Sequence, residues 1–142
     1  MNKMQRQVLE FHKGMGLEYA DTPHLLASEA SKRRIMLIDE EFLELIEARN
    51  KEDLVEMSDA LCDLLYVVFG TAVEMGLDLE PLFDEVHKSN MTKVGGHKNN
   101  FGKWIKPDTY QPPKLAGLIN KQRERVTTLL VPGDFMEEWE EE

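Results

Sequence analysis

Two short runs of carboxylates lie one helix apart in the sequence: Glu40, Glu41 and Glu44, then Glu56, Asp59 and Asp63. Each run has helical spacing, and each is set among Leu, Ile, Phe and Val. A carboxylate taken out of water is strongly destabilised unless a cation or hydrogen-bond donors face it. At about 100° per residue, Glu40, Glu44 and Glu47 fall within ~60° of one another, with Glu41 ~60° beyond Glu44. Glu56, Asp59 and Asp63 also fall within ~60° on the next helix. Two such helices packed face to face would form an oxygen-rich pocket suited to Mg²⁺ or Mn²⁺. Few cations flank the runs: Arg33, Arg34, Arg49 and Lys51. A solvated face accounts for the first run taken alone. It accounts less well for the second, whose flanks are Val55, Cys62, Tyr66, Val67 and Phe69; a helix apolar nearly all round is expected to be buried, acids included.

The elements that must position these acids read as helices throughout. Residues 3–15 place Met4, Val8, Phe11 and Met15 on one face and end at Gly14 and Gly16. Residues 17–26 are a connector with Pro23. Helices are expected over 27–49, with Ser28, Glu29 and Asn50 as punctuation, and over 52–76, stopped at Gly76. Asp78 is expected to cap a fourth helix over 80–92. After Thr92 the character changes: Gly95-Gly96, Gly102, Pro107 and Pro112-Pro113 mark an irregular arm over 93–114. A short helix follows over 115–130, then Pro132-Gly133 and the acidic end EEWEEE. No strand of convincing alternation and no repeat appears. The expected organisation is a helical core over 1–92 and a polar arm, short helix and tail over 93–142.

Composition narrows the function classes. The chain has 142 residues, 42% hydrophobic and 31% charged, with a net charge of −10. Such acidity argues against sequence-independent nucleic-acid binding and against an anionic lipid surface. The apolar runs fall short of the ~20 residues of a membrane span, and the polar start is no signal peptide; a cytoplasmic protein is expected. Cys62, a lone cysteine, is expected to be a buried thiol. His12 and His87 lack ligand spacing and read as surface or interface residues. The methionines read as core packing. His97 in the Gly-rich loop is placed equally well in an unstructured segment or beside phosphate. Gly95-Gly96 lacks P-loop spacing and reads as a pivot for the arm. Trp104 and Tyr110 are candidates for stacking on a base or for anchoring the arm to the core. Trp139 has no assigned role. The helix over 52–76 is apolar on more faces than one neighbour covers, which points to a homodimer.

The pattern EExxE followed by ExxD resembles the all-α nucleoside triphosphate pyrophosphohydrolases of the MazG type. Here it reads Glu40-Glu41-Phe42-Leu43-Glu44, then Glu56-Met57-Ser58-Asp59. The likeness continues through DALCDLLYVVFGTAVEMGLDLEPLFDEVHKSNMTK, which is similar to MazG-like and phosphoribosyl-ATP pyrophosphohydrolase-like members, and takes in VLEFH at 8–12 and GKWIKPDTYQPPKL at 102–115. It implies an all-α, four-helix core that dimerises into a bundle, with dimers sometimes paired into tetramers. It implies that Glu41, Glu44, Glu56 and Asp59 hold Mg²⁺ or Mn²⁺, and that Glu40 supports them or helps activate the attacking water. Asp63 would sit at the edge of the site, and Asn90 and Lys93 would contact the nucleotide.

The implied reaction is hydrolysis of a nucleoside triphosphate to monophosphate and pyrophosphate. Bound metal would offset phosphate charge and acidify a water. Lys93, with Lys103 or Lys106, would cover the leaving group. Attack at the γ-phosphorus is not excluded by spacing; the α choice comes from the resemblance. A phosphoribosyl-ATP substrate, or a non-catalytic helical dimer that binds metal or nucleotide, is the competing expectation.

Overall fold

The computed structural model describes residues 1–130, with side chains described through Arg125. Five helices follow in order: α1 Lys3–Met15, α2 Ser28–Asn50, α3 Leu54–Glu74, α4 Leu79–Met91 and α5 Ala116–Leu130. Between α4 and α5 a small antiparallel hairpin pairs β1 His97–Lys98 with β2 Trp104–Ile105, His97 opposite Ile105. The expected all-α class holds, with this hairpin as the departure from an unpaired arm. Pro132-Gly133, Trp139 and the acidic end lie outside the described residues.

The helix ends are set by local chemistry. Asn2 caps α1, accepting from Gln5 N at 2.8 Å, and Gly16 closes it in the left-handed conformation at φ 67°. Asp53, not singled out in the sequence, caps α3 by accepting from the Val55 and Glu56 amides. Asp78 caps α4 as expected. Ser28 does not cap α2: Ala27 holds that position and no side chain bonds the first turn. Gly76 has φ 67°, and a Cβ there would stand 2.4 Å from the Thr22 carbonyl oxygen. Only glycine admits both the conformation and the close approach. The connector 17–26 thereby covers the end of α3, with Ala20 N bonded to Val73 O and His24 N to Met75 O.

Helix α2 runs antiparallel along α3, and α1 packs on α3. Val8, Phe69 and Val73 form the apolar centre, with Leu9 and Leu79 against it. Polar side chains join the elements. Gln5 is fully buried; its amide donates to Leu77 O at 2.5 Å and accepts from Leu79 N at 3.0 Å. Gln122 of α5 does the same for the Asp78 peptide, at 2.9 and 3.0 Å.

Arg34 is the main polar tie, 6% exposed. Its guanidinium donates to Val67 O at 2.7 Å and Thr71 Oγ1 at 3.2 Å, and meets buried Glu74 at 3.5 Å. Arg33 reaches the other oxygen of Glu74 at 3.3 Å. Burial lowers the Arg34 pKa from its ordinary value, opposed by the Glu74 carboxylate. Gly70 makes room: a Cβ there would stand 2.3 Å from Arg34 Nη2. His12 packs at the same place, 3% exposed, its Nδ1 paired with Glu18 O at 2.7 Å. The expectation of a surface or interface His12 is therefore corrected; this histidine fills the junction of α1, α2 and α3. His87 is exposed.

Several apolar expectations are overturned for the single chain. Cys62 is exposed rather than a buried thiol, because α1 leaves its side of α3 only partly covered. Met4, Met15, Met36 and Met91 are more than half exposed and pack no core. Glu56, Asp59 and Asp63 of α3 are also exposed rather than buried, since they lie along the open edge of the α2/α3 pair. No single helix among the described residues is long and apolar enough to cross a membrane, and α3 and α4 are bent by 116° at their junction.

Removing the Arg34 side chain leaves Glu74 in the interior with only Arg33 beside it. Arg34→Ala should lower the unfolding free energy by about 3 kcal/mol, and Gly70→Ala by a comparable amount through steric overlap. Arg33→Ala, at an exposed site, should cost less than about 1 kcal/mol. Urea denaturation of the three variants measures this.

Candidate active site

The antiparallel packing of α2 on α3 brings the two acid runs together. Glu44, Glu47, Glu56 and Asp59 line one groove of about 250 Å³, with Lys51 at its end and Ala48 and Ala60 in its floor. Both alanines are buried; their small side chains let the two helices approach closely here. Glu41 adjoins the same acids. Its carboxyl is raised above the ordinary value, first by partial burial, then by the like charges of Glu44, Asp63, Glu40 and Asp59. The acids of both motifs therefore share one electrostatic neighbourhood, as the spacing implied. Glu47, which belongs to the same angular cluster, also lines the groove.

Among the described residues, one counter-charge enters it. Lys51 Nζ lies 2.7 Å from Glu56 Oε2, and the nearby Glu56 raises the lysine pKa. Arg33 and Arg34 serve Glu74 instead. Proximity in sequence could not separate these roles. The partner of Arg34 lies 40 residues away in the chain.

The donor set fits a hard cation: all four expected ligands are carboxylates, which Mg²⁺ and Mn²⁺ prefer. Among the described residues, no three His, Cys, Asp or Glu side chains already stand close enough to hold an ion. Glu44, Glu56 and Asp59 are exposed on the groove, so side-chain rotation is what would draw them together.

The remaining expected residues form a second cluster on α4 and the arm. Lys93 Nζ donates to Asn90 Oδ1 at 2.7 Å. The Tyr110 ring is faced by Lys106 at 4.0 Å and Lys93 at 5.6 Å, so the ring already meets two cations. The Ser89 hydroxyl, followed by Lys106 and Lys93, holds the Tyr110 phenol below its ordinary pKa. Trp104 Nε1 donates to Lys93 O at 3.3 Å, a bond from β2 to the start of the arm. Gln111 and Lys114 fix the arm to α4 through Ser89, Thr92 and Glu85. Lys103 stands beside β2, its backbone amide bonded to Asn99. His97 and Lys98 are exposed on β1. No hydrogen bond or ion pair among the described residues joins this cluster to the acid groove.

Because Glu41 binds its proton more tightly in the folded chain than in the unfolded one, its ionisation opposes folding. That cost appears as pH rises through the unfolded carboxyl value and is complete above the folded one. In metal-free buffer at neutral pH, Glu41→Gln should raise the melting temperature slightly, since solvent screens much of the repulsion. The gain should vanish as pH falls below the ordinary glutamate range. Melting curves across pH check both parts.

With this geometry in view, two comparisons with known proteins bear on the chain. Over 49 residues it is 45% identical to an uncharacterised protein of Acanthamoeba polyphaga mimivirus. That stretch is 34% of this chain and 20% of the relative, so the chain spans about a fifth of the relative's length. The family model described as phosphoribosyl-ATP pyrophosphohydrolase matches residues 8–90, from the middle of α1 to the end of α4, and takes in both acid runs. This family lies within the MazG-like all-α pyrophosphohydrolase superfamily. More than half of the chain is matched, and the chain belongs to the phosphoribosyl-ATP pyrophosphohydrolase family.

Proposed function

We propose that the chain is a metal-dependent nucleoside triphosphate pyrophosphohydrolase that converts a (d)NTP to the monophosphate and pyrophosphate, serving nucleotide-pool control or removal of aberrant nucleotides. The observation that carries this reading is the shared groove of Glu44, Glu56 and Asp59, with Glu41 beside it, in a member of a pyrophosphohydrolase family. A second reading, phosphoribosyl-ATP as substrate, is favoured by the description of the matching family. Both substrates would be cut at the same phosphoric anhydride.

In this reading Glu41, Glu44, Glu56 and Asp59 would hold Mg²⁺ or Mn²⁺, which when bound offsets phosphate charge and makes a water more acidic. Glu40 takes the proton of the attacking water on a carboxylate oxygen. Water attacks the α-phosphorus, the bond to the bridging oxygen breaks, and pyrophosphate leaves. Lys93, Lys103 and Lys106 offset the charge that develops on it. Asn90 orients the Lys93 ammonium, Tyr110 orients Lys106, and Asp63 borders the site.

The reading includes a homodimer, with a tetramer as its extension. Leu61, Leu65, Tyr66, Val68, Met4 and Phe11 leave an apolar face of α1 and α3 largely exposed. A groove of about 340 Å³ runs along it between Met4, Val8, Cys62, Leu65 and Phe69. Contiguous apolar surface of this kind marks an interaction site. A second copy covering it would also let the arm of one chain approach the acids of the other.

Phosphorus NMR of a panel of nucleoside triphosphates and phosphoribosyl-ATP, incubated with Mg²⁺ or Mn²⁺, tests the reaction. Monophosphate with pyrophosphate is expected, lost in EDTA and reduced at least about 100-fold in Glu44→Gln and Asp59→Asn. Free phosphate as the sole product would rule out attack at the α-phosphorus, and preference within the panel separates the two substrates. Leu65→Glu should convert a dimer to monomer in sedimentation velocity; an unchanged mass would show that this face is not the interface.

A further inference from the structure

The acid groove contains a cation of the protein's own. Lys51 lines it with Glu44, Glu47, Glu56 and Asp59 and bonds Glu56 directly at 2.7 Å. The turn between α2 and α3 fixes this placement. Lys51 is the residue that closes α2, and Glu56 lies in the first turn of α3, held by the Asp53 cap. Glu52 between them has a left-handed backbone at φ 54°, so the chain reverses within a few residues. The other cations near the acid runs are placed elsewhere. Arg33 and Arg34 meet Glu74, and Arg49 lines a separate recess with Asn50, Glu52, Leu54 and Met57.

We propose that Lys51 is the resident counter-ion of the groove and competes with the divalent cation for Glu56. This rests on the reading of the groove as a cation site. In the metal-free protein the ammonium offsets part of the repulsion among the acids. Loading then requires that Glu56 exchange Lys51 for the metal, so the Lys51–Glu56 pair sets the concentration at which the cation enters. The pair is suited to exchange. Its two side chains are 58% and 46% exposed, and an ion pair in solvent contributes little. A divalent ion that engages several carboxylates at once outcompetes one ammonium that engages a single oxygen. The lysine stem keeps the displaced ammonium within reach of the same carboxylate, so the exchange is reversible.

Mn²⁺ binding followed by electron paramagnetic resonance, without nucleotide, tests this on the intact chain. Lys51→Met should bind Mn²⁺ about two- to fivefold more tightly than wild type. Lys51→Arg should resemble wild type. Arg49→Met removes the same charge from the same turn but not from Glu56, and its gain should be clearly smaller. In a Glu56→Gln background, Lys51→Met should give no further gain, because the competition has already been removed. A Lys51→Met affinity no tighter than that of Arg49→Met, or a gain that persists without Glu56, would overturn the role of Lys51 while leaving the cation site standing. Absence of any Mn²⁺ binding by wild type would overturn the cation site, and the competition with it.

Discussion

The antiparallel contact between α2 and α3 is the constraint on which the rest of the molecule depends. Its two ends are held by opposite physics. At one end Arg34 crosses the interface, where two hydrogen bonds and a buried carboxylate compensate its desolvation. Gly70 admits the guanidinium and His12 brings α1 to the same point. At the other end the helices approach over Ala48 and Ala60 while their acids repel one another across the groove. The buried tie keeps the pair in register. The acid end is where the register is put to use, and where local stability is given up to concentrate negative charge.

The remaining elements are arranged around that pair. Gln5 and Gln122 satisfy the turn between α3 and α4 from two sides. The connector before α2 covers the end of α3 at Gly76, where a Cβ would meet the Thr22 carbonyl. These contacts are polar and specific, while the apolar centre of Val8, Phe69 and Val73 is small. Much apolar side chain on α1 and α3 remains at the surface of one chain. The fold is therefore ordered by hydrogen bonding at its junctions, with large apolar faces available for association.

Charge is segregated on the same principle. The acids stand on α2 and α3. Lys93 and Lys106 stand on the arm, gathered by Asn90 and the ring of Tyr110. An anionic substrate with a cation would need both surfaces, one for the metal and one for the phosphate oxygens. Within one chain the two clusters are not bonded to each other. The Trp104 contact with Lys93 O and the bonds of Gln111 and Lys114 to α4 show the arm as a folded element with its own anchorage.

Helices and their approximate ends were legible in the sequence because 3.6-residue periodicity, glycine stops and the Asp78 cap are local signals. The convergence of the acid runs was legible for the same reason, since a short link between two helices makes them antiparallel neighbours. Burial was not legible. Apolar flanks around Glu56, Asp59 and Asp63 implied enclosed acids, yet these groups stand in the open, because periodicity reports what a helix could cover and not which neighbour covers it. Cys62 and the exposed methionines were misread for that reason, and His12 in the opposite direction. The pairing of cations was likewise settled only by packing. Arg33, Arg34, Arg49 and Lys51 look alike beside the acid runs. Only the tertiary structure sends two of them to Glu74 and Lys51 to Glu56, since an ion pair depends on distance in space, and helix packing brings together residues that the chain keeps far apart.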